Sequence, residues 1–86
     1  MPAVTIYTTV SCVFCIRAKE YLRSRGVAYE EVDVTGDDAA RARLMDRASG
    51  RRTVPQIFVG DVHVGGYTDL VALDREGKFQ PLLSPS

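Results

Sequence analysis

Ser11-Cys12-Val13-Phe14-Cys15 follows the apolar run Val4-Thr5-Ile6-Tyr7 and leads into a charged, amphipathic stretch from Ile16 to Arg25. The order reads as a strand, a short loop and a helix, with a Cys-x-x-Cys pair in the helix's first turn. Such a pair points to reversible thiol–disulfide chemistry. Residues three apart share a helix face, so Cys12 and Cys15 can close a disulfide with little backbone movement. The first amides of a helix have no intrahelical partners. With the helix dipole they favour a thiolate at Cys12, and the thiolate is the reactive form. Cys15 lies one turn deeper, which casts Cys12 as the attacking nucleophile and Cys15 as the resolving thiol.

A purely structural role fits the pair less well. A closed zinc site takes about four ligands, and the chain offers two cysteines and one histidine, His63. A disulfide across two intervening residues closes too small a loop to stabilise much.

The bulk properties narrow the field further. Eighty-six residues suffice for one small domain, 1–86. Lys plus Arg and Asp plus Glu balance at eleven each, which argues against a nucleic-acid surface or an anionic membrane as partner. No stretch approaches the roughly 18 apolar residues of a membrane span. Met1-Pro2-Ala3-Val4 carries no basic region before an apolar block, so no secretory signal is expected. One close cysteine pair without such a signal suits a reducing cytoplasm.

Along the chain, Val4 to Thr8 is β-branched and aromatic, and apolar enough for a central strand buried on both faces. Ser11 is the expected N-cap of the first helix. Cys15, Ala18 and Leu22 form its core stripe, with Arg17, Lys19, Glu20, Arg23 and Arg25 outside it and Gly26 as its stop. Phe14 precedes the stripe and is placed beside Cys12 as a wall of the site. Val27 to Val34 reads as an edge strand with imperfect alternation. Thr35-Gly36-Asp37-Asp38 opens a second helix with Ala40, Leu44 and Ala48 inward, ending near Ser49-Gly50; Arg41, Arg43 and Arg47 form its solvated face. Arg51-Arg52-Thr53-Val54-Pro55 links it to Gln56–Val59, which pairs with Val62–Val64 across a Gly60-Asp61 type II′ turn. Thr68 is the expected cap of a last helix, Asp69 to about Glu76, with Leu70 and Leu73 inward. Phe79, Leu82 and Leu83 can fold back as a staple, and His63 is taken as a surface residue. The order β-α-β-α-β-β-α predicts an α/β fold: a mixed four-stranded sheet flanked by three helices. Sites in open α/β sheets gather at the carboxyl ends of parallel strands, where Cys12 lies.

Four blocks together resemble the glutaredoxin family, in its short bacterial dithiol form, over nearly the whole chain. They are Ile6-Tyr7-Thr8, Cys12-Val13-Phe14-Cys15, Thr53-Val54-Pro55-Gln56-Ile57-Phe58 and Gly65-Gly66-Tyr67-Thr68-Asp69-Leu70. The resemblance implies a thioredoxin-like fold and an enzyme that reduces protein disulfides and protein–glutathione mixed disulfides, with glutathione as electron donor and co-substrate. It implies a redox-active Cys12–Cys15 disulfide and a cis Pro55 that sets the Val54 main chain opposite Cys12. It places Thr68 and Asp69 at the γ-glutamyl end of glutathione and Gln56 toward the glycyl carboxylate, with Arg17 and Arg52 as further charge partners. Phe14, Thr53, Val54, Pro55, Gly66 and Tyr67 complete the expected glutathione groove.

No tightly bound cofactor and no metal is expected in this reading. Its alternatives are a dimer holding a [2Fe–2S] cluster between two Cys12 thiolates and two glutathiones, or a redoxin reduced by thioredoxin reductase. The expected partners are glutathione and glutathionylated or disulfide-containing proteins, ribonucleotide reductase among them, with the chain a cytoplasmic monomer. The chain departs from many relatives at three places: Val13-Phe14 replaces Pro-Tyr, Thr9 replaces a Lys, and Tyr67 replaces a cysteine. The missing Lys removes a cation that binds a carboxylate and supports the thiolate.

Overall fold

The structure is a computed structural model and describes residues 2–51 and 53–83. Strand β1 spans Val4–Thr8, helix α1 Val13–Ser24, β2 Glu30–Asp33 and α2 Asp38–Arg47. Strands β3, Gln56–Val59, and β4, Val62–Gly65, precede α3, Tyr67–Arg75, and a short α4, Phe79–Leu83. The sheet order is β2-β1-β3-β4. Strand β1 runs parallel to β2 and antiparallel to β3, and β3 runs antiparallel to β4. This is the expected mixed α/β sheet, with β2 at an edge. The fold-back anticipated for the last apolar residues takes the form of a fourth, short helix.

Alternation along β1 decides which helix meets which face. Val4, Ile6 and Thr8 are buried, while Thr5 and Tyr7 between them are half-buried. Helix α1 lays Ala18 and Leu22 on the Val4–Ile6 side, together with Leu70 of α3 and Phe79 and Leu83 of α4. On the opposite side Leu44 of α2 and Ala48 at its C-cap close over Phe58, flanked by Tyr7 and Val54. Each fully buried Leu, Ile or Phe stabilises the fold by about 1.5–3 kcal/mol. Leu22, Ile57, Phe58, Leu70 and Phe79 therefore form the principal apolar framework around which the site is held.

Several local expectations change. Cys12, not Ser11, is the N-cap of α1: its backbone is extended, and its sulfur accepts the Cys15 N–H. A thiol one residue later reaches the free amide, leaving the Ser11 hydroxyl no capping task. Strand β2 is shorter than the Val27–Val34 expected, because Val27 and Tyr29 pack onto the core from outside the ladder. Gly66, not Thr68, caps α3; its N–H donates to the Asp69 carboxylate at 2.9 Å. Arg47 is more than a solvated side chain. It donates to the Tyr7 hydroxyl at 2.9 Å and the Gly60 carbonyl at 3.2 Å. Its guanidinium also lies 4.1 Å from the Phe58 ring centroid.

The Gly60-Asp61 turn matches its expectation, with φ positive at Gly60 (57°) and not at Asp61. Gly65 is constrained more tightly. Its φ is +113°, and a Cβ there would fall 2.5 Å from Asp69 Oδ2.

Candidate active site

Strand β1 delivers the chain to the loop carrying Cys12, and α1 then turns inward. Cys12 is half-buried and Cys15 buried, at 1% exposure. Both are free thiols. The Cys15 N–H donates to Cys12 Sγ at 3.0 Å, and that sulfur lies 3.6 Å from the Val54 carbonyl oxygen. Helix end and loop thus converge on one sulfur: an amide supports its anion, while the carbonyl accepts from its thiol. The Val54–Pro55 peptide bond is cis. Burial, then the hydrogen bond with Cys12, pushes the Cys15 thiol up to about 12. The two thiols are therefore unlike in access.

Beside Cys12 lies a groove of about 230 Å³ lined by Phe14, Thr53, Val54, Pro55, Gly66, Tyr67 and Thr68. Phe14 is 51% exposed. Its ring sits 6.2 Å from that of Tyr67, and the Arg17 guanidinium covers it at 5.5 Å. Three chain segments far apart in sequence thus form one wall, with Arg17 at its rim.

Arg17, Gln56 and Asp69 lie outside this lining. Asp69 sits behind Gly66, and its Oδ2 accepts both the Gly66 N–H and Arg51 Nη1, the latter at 3.0 Å. The Gly66 amide first, and Arg51 after it, hold the Asp69 carboxyl below the usual aspartate range. Gln56 is fully buried. Its Nε2 donates to the Thr53 carbonyl at 2.9 Å, and its Oε1 meets His63 Nε2 at 2.6 Å. Arg52 lies outside the described residues.

His63 is thus a half-buried partner of Gln56 and not a surface residue, stacked on Phe58 at 4.9 Å. Burial, then the Arg51 charge, lowers its pKa. The Arg51–Asp69 pair carried no sequence signal: eighteen positions separate the two, and only the Gly65–Gly66 elbow brings them together. A larger hollow of about 480 Å³ opens at the far end of the sheet, around Val4, Val27, Tyr29 and Leu83. It contains no thiol and stands apart from this chemistry. Among the described residues no group of three or more His, Cys, Asp or Glu is placed to hold a metal ion, and no helix is long and apolar enough to cross a membrane.

A buried and a half-exposed thiol at a helix start, facing a cis-proline loop across an α/β sheet, define a thioredoxin-like thiol–disulfide oxidoreductase. Comparison with known proteins makes the class specific. The glutaredoxin family model matches residues 4–64. A glutaredoxin of Pseudomonas aeruginosa is 51% identical over 84 residues, covering 98% of this chain and 99% of its own. Glutaredoxin 3 of Escherichia coli is 48% identical over 83 residues, covering 96% and 99%. The solution structure of Brucella melitensis glutaredoxin superposes with a TM-score of 0.84 at 48% identity, covering 96% of this chain and 89% of that one. The crystal structure of a buckwheat glutaredoxin–glutathione complex gives 0.87 at 29% identity, covering 96% and 77%. The chain belongs to the glutaredoxin family.

Proposed function

We propose that this chain is a glutathione-dependent oxidoreductase that reduces protein–glutathione mixed disulfides and protein disulfides through Cys12 and Cys15. The observation that carries the reading is the half-buried Cys12 sulfur at the start of α1, 3.6 Å from the carbonyl of Val54, which lines the groove, while Cys15 is buried. The glutathione complex of the buckwheat relative supports the choice of thiol.

In the first step the Cys12 thiolate attacks the glutathione sulfur of a mixed disulfide. The substrate protein leaves as its thiolate and takes up a proton, and glutathione remains bonded to Cys12. A second glutathione thiolate then attacks that sulfur–sulfur bond, releasing glutathione disulfide and regenerating Cys12. With a protein disulfide, Cys12 becomes bonded to one substrate sulfur. Cys15 displaces it, forming the Cys12–Cys15 disulfide that glutathione later reduces. Attacking and leaving thiols near ambient pH set these rates.

In this reading Phe14 and Tyr67 flank the tripeptide, and the Val54 main chain pairs with it as a strand would. Thr53, Pro55 and Gly66 shape the wall. Asp69 accepts from the γ-glutamyl ammonium, while the α3 amides at Thr68 attract its carboxylate. Arg17 and Arg52 serve as charge partners at the rim. The chain acts as one domain, 1–86, and as a cytoplasmic monomer, with ribonucleotide reductase among its protein substrates.

Reduction of a glutathionylated peptide tests the assignment, with glutathione plus its reductase as donor or with thioredoxin reductase instead. Activity is expected with the first system only, lost in Cys12→Ser and retained in Cys15→Ser. Equal loss in both variants would overturn the roles given to the two thiols.

A further inference from the structure

Cys15 has a charged neighbour that the mechanism above leaves without a task. Lys19 follows it by one helical turn, so both rise from one face of α1, a spacing that puts Cβ atoms about 5–6 Å apart. Its ammonium is not loose. Nζ lies 3.1 Å from Glu31 Oε2 on β2, and that same oxygen accepts the Thr8 hydroxyl at 2.7 Å. Thr8, at the end of β1, is 1% exposed. The Lys19 side chain keeps 22% exposure, against 67% for Lys78, whose partner is its near neighbour Glu76. Three elements thus hold one cation on the side of α1 that carries the buried thiol.

We propose that Lys19 is a positioning residue for the resolving step: its ammonium, fixed by Glu31 and Thr8, supports the charge Cys15 carries as it attacks the mixed disulfide at Cys12. The inference rests on Cys15 being the resolving thiol. In that step the Cys15 thiolate forms a bond to the Cys12 sulfur. The bond between Cys12 and the substrate sulfur breaks, and the substrate leaves with the electron pair. The proton that Cys15 gave up to solvent is replaced on the departing thiolate, and no outside oxidant is required.

The groups acting on Cys15 sort by direction. Burial opposes ionisation most, followed by the hydrogen bond with Cys12 and, further down, the Cys12 charge. Once Cys12 is in a mixed disulfide it carries no charge, and that last opposition ends. The Thr9 main chain and the Lys19 charge act the other way, and of these only Lys19 is a side chain. Glu31 reaches the thiol through Lys19. Across the core, Asp69 and Asp74 of α3 are engaged by Arg51 and Arg25.

Lys19 is the last of the groups acting on the thiol and shares its charge with Glu31, so its removal is taken at the low end of a neighbouring-charge effect, about tenfold in thiolate. A tenfold loss of thiolate is partly offset because a more basic thiolate is a better nucleophile, with a Brønsted slope of about 0.4–0.5, leaving roughly a threefold slowing.

The test uses the whole reduced chain and 5,5′-dithiobis(2-nitrobenzoate). The first thionitrobenzoate is released as Cys12 forms the mixed disulfide and the second as Cys15 closes on it. Across pH 6–9, Lys19→Gln is expected to slow the second release about threefold relative to the first, and Lys19→Arg to restore it. Glu31→Gln removes the counter-charge while its amide oxygen can still accept from the Lys19 ammonium and hold it in place, so it is expected to leave the second release as fast or faster. A merely structural ion pair predicts the same slowing in Lys19→Gln and Glu31→Gln, and that result overturns the proposal. An unchanged second release in Lys19→Gln, or no rescue by arginine, overturns it as well. Should Cys15→Ser still give a second release, the error lies in the roles of the cysteines and not in Lys19.

Discussion

Replacing Gly65 by alanine separates a steric cost from a conformational one. A non-glycine residue at positive φ costs about 1–3 kcal/mol. Alanine also stiffens the unfolded chain, which returns about 0.4–1 kcal/mol. Gly77 serves as the reference: its φ is +73°, and a Cβ there meets nothing within 4 Å. At Gly65, with φ +113°, the new Cβ falls 2.5 Å from Asp69 Oδ2 and 2.9 Å from its Cγ. The carboxylate must swing away, and it gives up the Gly66 N–H and Arg51 together. Loss of a helix cap costs about 0.5–2 kcal/mol, and the half-exposed ion pair adds about 0–1. Gly65→Ala should therefore be about 0.5–3 kcal/mol less stable than Gly77→Ala by urea titration. In a domain of this size each kcal/mol lowers the Tm by about 4–8 °C. The cycle with Asp69→Ala sharpens the test, because removing the carboxylate removes the obstacle. Gly65→Ala should cost less in that background than in the wild type. Equal costs in the two backgrounds, or equal stability of Gly65→Ala and Gly77→Ala, would refute the steric argument.

Two further predictions concern charged groups away from the thiols. The Asp69 pKa is lowered in the fold by the Gly66 amide and Arg51. Its contribution to stability is thus present above the unfolded aspartate pKa, about 3.9, and is lost as pH falls through the lower folded value. The stability gap between wild type and Asp69→Asn should accordingly narrow below pH 4 in denaturation profiles; a constant gap contradicts the assignment. Tyr21 donates its hydroxyl to Asp74, which also pairs with Arg25 at 2.8 Å and is 6% exposed at its side chain. Tyr21→Phe leaves a shielded carboxylate one donor short, so a loss of about 1–3 kcal/mol is expected in urea unfolding, and a loss under 0.5 kcal/mol would show that solvent replaces the hydroxyl.

Much of this protein was legible in its chain because the decisive signals are local. The β-branched run of Val4 to Thr8, the stripe of Cys15, Ala18 and Leu22, and the glycine-led turn at Gly60 each follow from residue type and local spacing, and each appears in the fold, although Thr5 and Tyr7 leave the strand half-buried on one face. The edges of elements were less legible, since capping is a contest among neighbours. Cys12 took the cap from Ser11, and Gly66 took it from Thr68 once the Asp69 carboxylate reached back to its amide.

The amino-acid sequence by itself determined the order of strands and helices and the placing of a thiol pair at a helix start, since both depend on residues within a turn or two of each other. Only the tertiary structure decided that Arg51 meets Asp69, that His63 meets Gln56, and that Glu31 and Thr8 hold Lys19 beside the helix of Cys15. Those contacts join residues from different strands and helices. Periodicity reports which face a side chain occupies; chain closure, packing and charge decide what stands opposite it.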